Sequence, residues 1–416
     1  MDSSGKRNLP VQIGMGRPET GLVLPGGGAR AAYQVGVLKA IARLLPPGSV
    51  CPFPVISGTS AGAINAVALA CYADRFRAGV RVLESVWSGF ETHHVYRTDA
   101  TAVMRSSLHW LATLLTGGLG RHNPRSLFDN RPLRRLLADR LPFERIQNHI
   151  DAGILHAVSV TVSSYRSGRS VSFYQGNDAV RTWQRSRRES RRTQLGVEHL
   201  MASAAVPIVF PAIRVKGEYF GDGALRQMMP LSPAVHLGAT RLLVVGVRDE
   251  RPLPPADILP QDTPPSIGHI AGYMLDTLFM DGLYSDLERV TKINMLLDTT
   301  PSDRLRGPLA HLRRVETLVV VPGRDVRDLA ADNSAEMPLA VRLLLRGLGA
   351  YGRGGGQLLS YMLFEQRFTR ALIRLGFEDA MAQRDHILAL LRGDPMPAID
   401  APARIVQDLS GQEQSA

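Results

Sequence analysis

The sequence predicts an α/β fold with a mainly parallel central sheet and a helical C-terminal extension. Three observations predict it. Gly21-Leu22-Val23-Leu24 is a short apolar run that passes through Pro25-Gly26-Gly27-Gly28 into helical periodicity. Pro54-Val55-Ile56-Ser57 runs into Gly58-Thr59-Ser60-Ala61-Gly62, and a small-residue helical segment follows at once. Leu242-Leu243-Val244-Val245-Gly246-Val247 is a further apolar run of the length of a strand buried on both faces.

The chain has 416 residues, enough for one large domain with an extension or for two domains. Its 44% apolar and 21% charged content are those of a chain with a sizeable core, which excludes wholesale disorder. The formal net charge of +11 draws the chain to anionic surfaces, either phosphate-headed membranes or nucleic acid. Cys51 and Cys71 flank the Ser60 turn without zinc spacing, so a reduced compartment is expected. The first ten residues lack the apolar core of a signal peptide, and no run of about 18 apolar residues occurs. The expected location is therefore cytoplasmic, with peripheral membrane association if the substrate is lipid.

Taken in order, residues 1–18 read as a flexible arm. After the 21–24 strand, Val35, Leu38, Ile41, Ala42 and Leu45 recur at helical spacing. The glycine loop before them has two readings. Gly26, Gly28 and Ala31 satisfy the dinucleotide fingerprint, but no Asp or Glu occurs between Ala29 and Ala73 to bind a ribose. The other reading is an oxyanion hole, in which the backbone N–H groups of Gly26, Gly27 and Gly28 converge on a developing negative charge. Arg30 is a cation opposing the dipole of the helix it opens, which points to a local role. It binds a phosphate, braces the loop or makes a structural salt bridge. The 54–66 segment has the form of a nucleophile elbow. Ser60 would sit on a strained turn, with Gly58 and Gly62 small enough to let the chains pass.

Residues 66–90 read as helical. Residues 101–141 read as further helices, with a break and hinge at Gly117-Gly118-Leu119-Gly120. Residues 152–162 and 169–175 look like a strand pair. From Arg181 to Arg192, the arginines at 181, 185, 188 and 192 would share one face of a helix. That face is either a solvated surface or a contact for anionic lipid headgroups. Ile213-Arg214-Val215 and Glu218-Tyr219-Phe220, joined by Lys216-Gly217, form a hairpin leading to Asp222. Residues 252–265 are Pro-rich. From 270 to 297 an apolar stripe including Ile270, Tyr273, Met274, Leu283 and Leu287 reads as core packing. A last strand is expected at 317–322, a helix at 338–350, a linker from Gly347 to Gly356, and a helical pair at 358–392 turned near Gly376. The tail from 399 reads as loose.

The motifs together resemble the patatin-like phospholipase family, in its bacterial form. Gly26–Arg30 and Gly58–Gly62 are followed in the right order by Gly221-Asp222-Gly223-Ala224, and Ala202–Pro211 resembles the family's Ser/Ala/Pro-rich block. The likeness covers roughly residues 20–250, with Ala31 standing where the family often has glycine. It implies a three-layer α/β/α sandwich over 19–250, a mostly helical region over 251–398, and a serine paired with an aspartate. Ser60 and Asp222 would then be catalytic, with Gly58, Gly62, Gly223 and Arg30 in support.

The implied reaction is hydrolysis of fatty-acyl esters of phospholipids or related lipids through an acyl-enzyme. A thioesterase or carboxylesterase on the same pair, or a non-catalytic lipid-surface protein, is the alternative. A carboxylate is a poor base near neutral pH, so the pair needs a water-poor site that raises its pKa. A Ser-His-Asp triad through His236 or His269 is the rival chemistry. No cofactor is expected, and His93-His94 lacks the carboxylates of a metal site. No fold motif supports nucleic acid as a partner.

Overall fold

The structure, a computed structural model, describes residues 20–97, 126–248, 264–301, 312–352 and 355–397. The 1–18 arm, the Gly117–Gly120 hinge, most of the Pro-rich segment and the tail from 399 lie outside the described residues.

Within the described residues a nine-stranded sheet forms the middle layer. Its strands are β1 (Thr20–Leu24), β2 (Val55–Thr59), β3 (Ala157–Ser164), β4 (Ser170–Gly176), β5 (Arg188–Arg192), β6 (Ile213–Val215), β7 (Glu218–Asp222), β8 (Arg241–Val245) and β9 (Glu316–Val320). The order is β5-β4-β3-β2-β1-β8-β9, with β7 paired to β3 and β6 to β7. The centre is parallel: β1 lies between β2 and β8, β2 pairs with β3, and β8 with β9. β4 is antiparallel to β3, as a hairpin requires.

Side chains alternate across this sheet, and both faces are buried. Leu22, Leu24, Leu243 and Val245 join one apolar cluster, whereas Val23, Leu242 and Val244 join the other. Helices cover both faces, giving the expected three-layer α/β/α sandwich. The chain enters at β1, builds β2 and β3 to one side, then returns with β8 on the other. Ligands in such sheets bind beyond the carboxyl ends of strands at this reversal. The glycine loop follows β1 and Ser60 follows β2, so both candidate motifs meet there.

α1 (Ala32–Leu44) is crossed closely by the helix Gln366–Ala382. A Cβ on Gly36 would strike the Ile373 carbonyl, and one on Gly376 would strike the Tyr33 carbonyl. Gly376 is therefore not a turn. It sits inside a seventeen-residue helix, and its missing side chain lets two backbones touch. The turns fall instead before Gln366 and at Gln383.

Two further expectations are corrected. The 181–192 stretch is not helical. Residues 188–192 form β5 against β4, and this pairing replaces the single arginine face. Arg192 turns back onto the carbonyls of Gly176, Asn177 and Val180, and Arg188 is half-buried near Asp286. The apolar stripe from 270 is only partly core. Leu283 and Leu287 are buried, but Ile270 is 47% and Tyr273 69% exposed, because the helix Ile267–Asp276 packs through Gly268, Gly272 and Asp276.

Candidate active site

The site is assembled from three chain segments. α2 (Ala61–Cys71) starts directly after β2, and the residue between them is Ser60. Ser60 has φ 54° and ψ −130°, a conformation that costs an L-residue on the order of 1–3 kcal/mol. The surroundings hold it there. A Cβ on Gly58 would collide with Ala63, and one on Gly62 with the carbonyls of Leu24 and Pro25. The Ser60 backbone N–H donates to Ser203 Oγ at 2.8 Å, whose own hydroxyl donates to the Thr161 carbonyl at 2.6 Å. Ser203 belongs to the Ser/Ala/Pro-rich block, so that block braces the turn.

Asp222 ends β7 and is fully buried. Ser60 Oγ donates to Asp222 Oδ2 at 2.6 Å, and the Ala224 N–H donates to Oδ1 at 2.9 Å. The Asp222 N–H is held by the Ala205 carbonyl at 2.9 Å, tying this carboxylate to the same block. A side chain on Gly223 would meet the Thr161 carbonyl. Burial drives the Asp222 carboxyl up from its ordinary 3.8 to about 7, against the lowering pull of the Ser60 and Ala224 hydrogen bonds. At neutral pH this group can both take and return a proton.

The glycine loop reaches the serine from the other side. Gly28 adopts φ +52°, and a Cβ there would meet the Tyr361 carbonyl. Both facts demand glycine. Gly28, Ser60 and Ala61 help line a cavity of about 70 Å³, walled almost entirely by apolar side chains. Ile64 and Ala68 of α2, Leu83 and Trp87 of α3 (Phe76–Ser88), and Leu133 and Leu137 of the helix Arg131–Arg140 form its walls.

Arg30 faces away from this cavity. Its guanidinium is buried, donates to Ser360 Oγ at 2.6 and 2.9 Å, and lies 3.9 Å over the Tyr361 ring. It also pairs with Asp276 at 3.4 Å, and Arg248 pairs with the same carboxylate. Of the three roles open to Arg30, this geometry matches two, a structural salt bridge and bracing: the ion pair with Asp276 and the bonds to Ser360 tie the loop to the helices Ile267–Asp276 and Gly356–Met362.

Sequence reasoning missed the supporting polar network. The Gln34 amide donates to the Pro25 carbonyl, Asn65 donates to Gln34 and Ala31, and the Trp87 indole donates to Asn65. The available signal was Asn65, a lone amide in an otherwise apolar α2. Phe279, in the five-residue π turn Thr277–Asp281, packs against Gly26 and was also missed.

Neither rival histidine reaches the serine. His236 stacks on Trp183 with centroids 4.9 Å apart, and burial lowers its imidazole to about 4, helped by Arg185 and Arg188. His269 is on the helix Ile267–Asp276, and no histidine lines the Ser60 cavity among the described residues. Also among the described residues, no cluster of His, Cys, Asp or Glu could hold a metal, and no helix is long and apolar enough to cross a membrane. Cys51 and Cys71 are free and buried, their thiols pushed up to about 12 by burial.

A family model described as patatin-like phospholipase matches residues 22–235. No curated protein matches the chain. Solved structures that match include VipD from Legionella pneumophila, at 13% identity and a TM-score of 0.33, over 100% of this chain and 84% of that one. Human GIVD cytosolic phospholipase A2, in complex with methyl γ-linolenyl fluorophosphonate inhibitor and terbium chloride, matches at 12% identity and a TM-score of 0.37, over 90% and 59%. The complex of SpcU with ExoU from Pseudomonas aeruginosa matches at 18% identity and a TM-score of 0.19, over 39% and 35%.

Proposed function

The chain belongs to the patatin-like phospholipase family, and from that premise we propose that it cleaves fatty-acyl ester bonds of phospholipids or related lipids through Ser60 and Asp222. The observation that carries this reading is the 2.6 Å hydrogen bond to a buried carboxylate from Ser60 Oγ, whose residue lines an apolar cavity.

The steps follow from the chemistry of the groups. Asp222 takes the hydroxyl proton as Ser60 Oγ attacks the ester carbonyl. The carbonyl π pair moves onto oxygen, and the backbone N–H groups of Gly26, Gly27 and Gly28 receive the oxyanion. Losing one such donor typically costs on the order of 10²–10³ in turnover. When the intermediate collapses, Asp222 returns the proton to the departing alcohol. Water, deprotonated by the same carboxylate, then attacks the acyl-Ser60 ester, and as the second intermediate collapses Asp222 returns that proton to Ser60 Oγ, releasing the fatty acid and restoring the pair. The acyl chain would lie in the apolar cavity along α2, which has little to hold a polar substituent.

Product analysis on a panel of phospholipid, neutral lipid and acyl thioester, comparing wild type with Ser60→Ala, tests the reading and its thioesterase alternative. Free fatty acid from phospholipid, lost in Ser60→Ala, is the expected result. Release that persists in Ser60→Ala, or turnover of the thioester alone, overturns it.

A further inference from the structure

Two hairpins leave the sheet beside Asp222 and share an outer face. β7 runs antiparallel to both β3 and β6, so three backbones lie side by side beyond the ends of the parallel strands. Phe220 points inward and is buried, as is Val215. The outward set is Tyr165, Tyr219 and Arg214. Arg214 and Tyr219 are directly opposed across β6 and β7, and the Tyr165 N–H donates to the Tyr219 carbonyl at 3.1 Å. The Tyr165 hydroxyl end crowds Gly221, where a Cβ would collide with it, so this ring sits one residue from Asp222. Tyr165 is 52% and Tyr219 50% exposed.

The charge on this face has one sign. Arg166, Arg214 and Lys216 are exposed at the hairpin tips and on β6. The local carboxylates are turned inward and matched: Glu218 is held by Ser164 and by Arg191 at 2.8 Å, and Glu189 by Arg169 at 3.1 Å and Arg191 at 2.7 Å. Exposed tyrosines interleaved with exposed cations suit one surroundings above others, the headgroup layer of an anionic bilayer. There a tyrosine ring sits with its polar end wet, and each cation contributes favourably.

We propose that the face formed by Tyr165, Arg166, Arg214, Lys216 and Tyr219 docks the protein on anionic phospholipid bilayers, placing Asp222 and Ser60 beside the headgroup layer. This rests on the lipid-hydrolase reading for its purpose, but binding and turnover can be measured apart. It also moves the basic lipid contact away from the 181–192 arginines, several of which the fold uses internally.

The test is sedimentation of the full chain with phosphatidylcholine vesicles, with and without phosphatidylglycerol, for wild type, for Arg166→Gln/Arg214→Gln/Lys216→Gln, and for Tyr219→Ser. Wild type should favour the anionic vesicles. Removing three cations should weaken that binding on the order of 100-fold, and added salt should weaken it in wild type. Tyr219→Ser should weaken it less and equally at all salt concentrations. Turnover of a water-soluble short-chain ester should stay at the wild-type level in both variants, which also shows that they fold. Wild-type vesicle affinity in the triple variant, or equal wild-type binding to neutral and anionic vesicles, overturns the proposal. Tight binding to anionic vesicles with no ester turnover in wild type would instead refute the hydrolase reading and leave the docking face standing.

Discussion

The Asp222 carboxyl carries two consequences of being buried with a pKa near 7. The proposed base can act only when ionised, so ester turnover should rise with pH through about 7. A flat profile from pH 5 to 9 would contradict its role. The stability effect has the opposite sign. A carboxyl whose folded pKa is raised binds its proton more tightly in the native state, so its contribution to stability weakens as pH climbs from about 4 to about 7 and then levels. Asp222→Asn should therefore raise the melting temperature at pH 8, by an amount corresponding to a few kcal/mol, and change it little at pH 4. Ser203 offers a second residue-scale test. Removing its hydroxyl leaves the Ser60 N–H buried without its acceptor, a loss of about 1–3 kcal/mol, and frees the strained turn. Ser203→Ala should lower kcat with KM unchanged. Ser60, Asp222 and the glycines were legible in the sequence because each motif is local in the chain and chemically restrictive. Asp276 and Ser360 were not, since Arg30, which they hold, lies far away in the chain.

Among elements, the strand–loop–helix units around β1 and β2 could be read directly, because an apolar run and a glycine punctuate each one. The errors share a cause: a local rule met a tertiary contact. Gly376 looked like a turn because glycine weakens an isolated helix, yet here it serves the crossing with α1. Gly376→Ala should lose several kcal/mol or fail to fold, whereas substitution at Gly48, where a Cβ meets nothing within 4 Å but φ is +82°, should cost only local backbone strain. Urea unfolding of both variants would separate the two kinds of glycine. The arginines from 181 to 192 matched a helical period, but pairing of β5 with β4 decided their backbone.

At the scale of the molecule, the region after residue 250 supplies β9 to the sheet and the helix Gln366–Ala382 to α1. One apolar cluster runs from Leu22 to Leu390. A chain ended at residue 250 would strip the helix Gln366–Ala382 from α1 and leave Arg30 without Asp276, Ser360 and Tyr361, so it should aggregate or lack a cooperative melting transition by calorimetry. The sequence showed these helices but not their purpose, because an apolar stripe does not name its partner. The central claim is that a buried carboxylate activates the hydroxyl at position 60. Labelling by a long-chain fluorophosphonate at pH 8, mapped by peptide mass spectrometry in wild type and in Asp222→Asn, tests it most directly. The account predicts a single adduct on Ser60 in wild type and a labelling rate at least a hundredfold lower in Asp222→Asn, on the order of what loss of a general base costs. An adduct elsewhere, or labelling of Asp222→Asn at the wild-type rate, would contradict it.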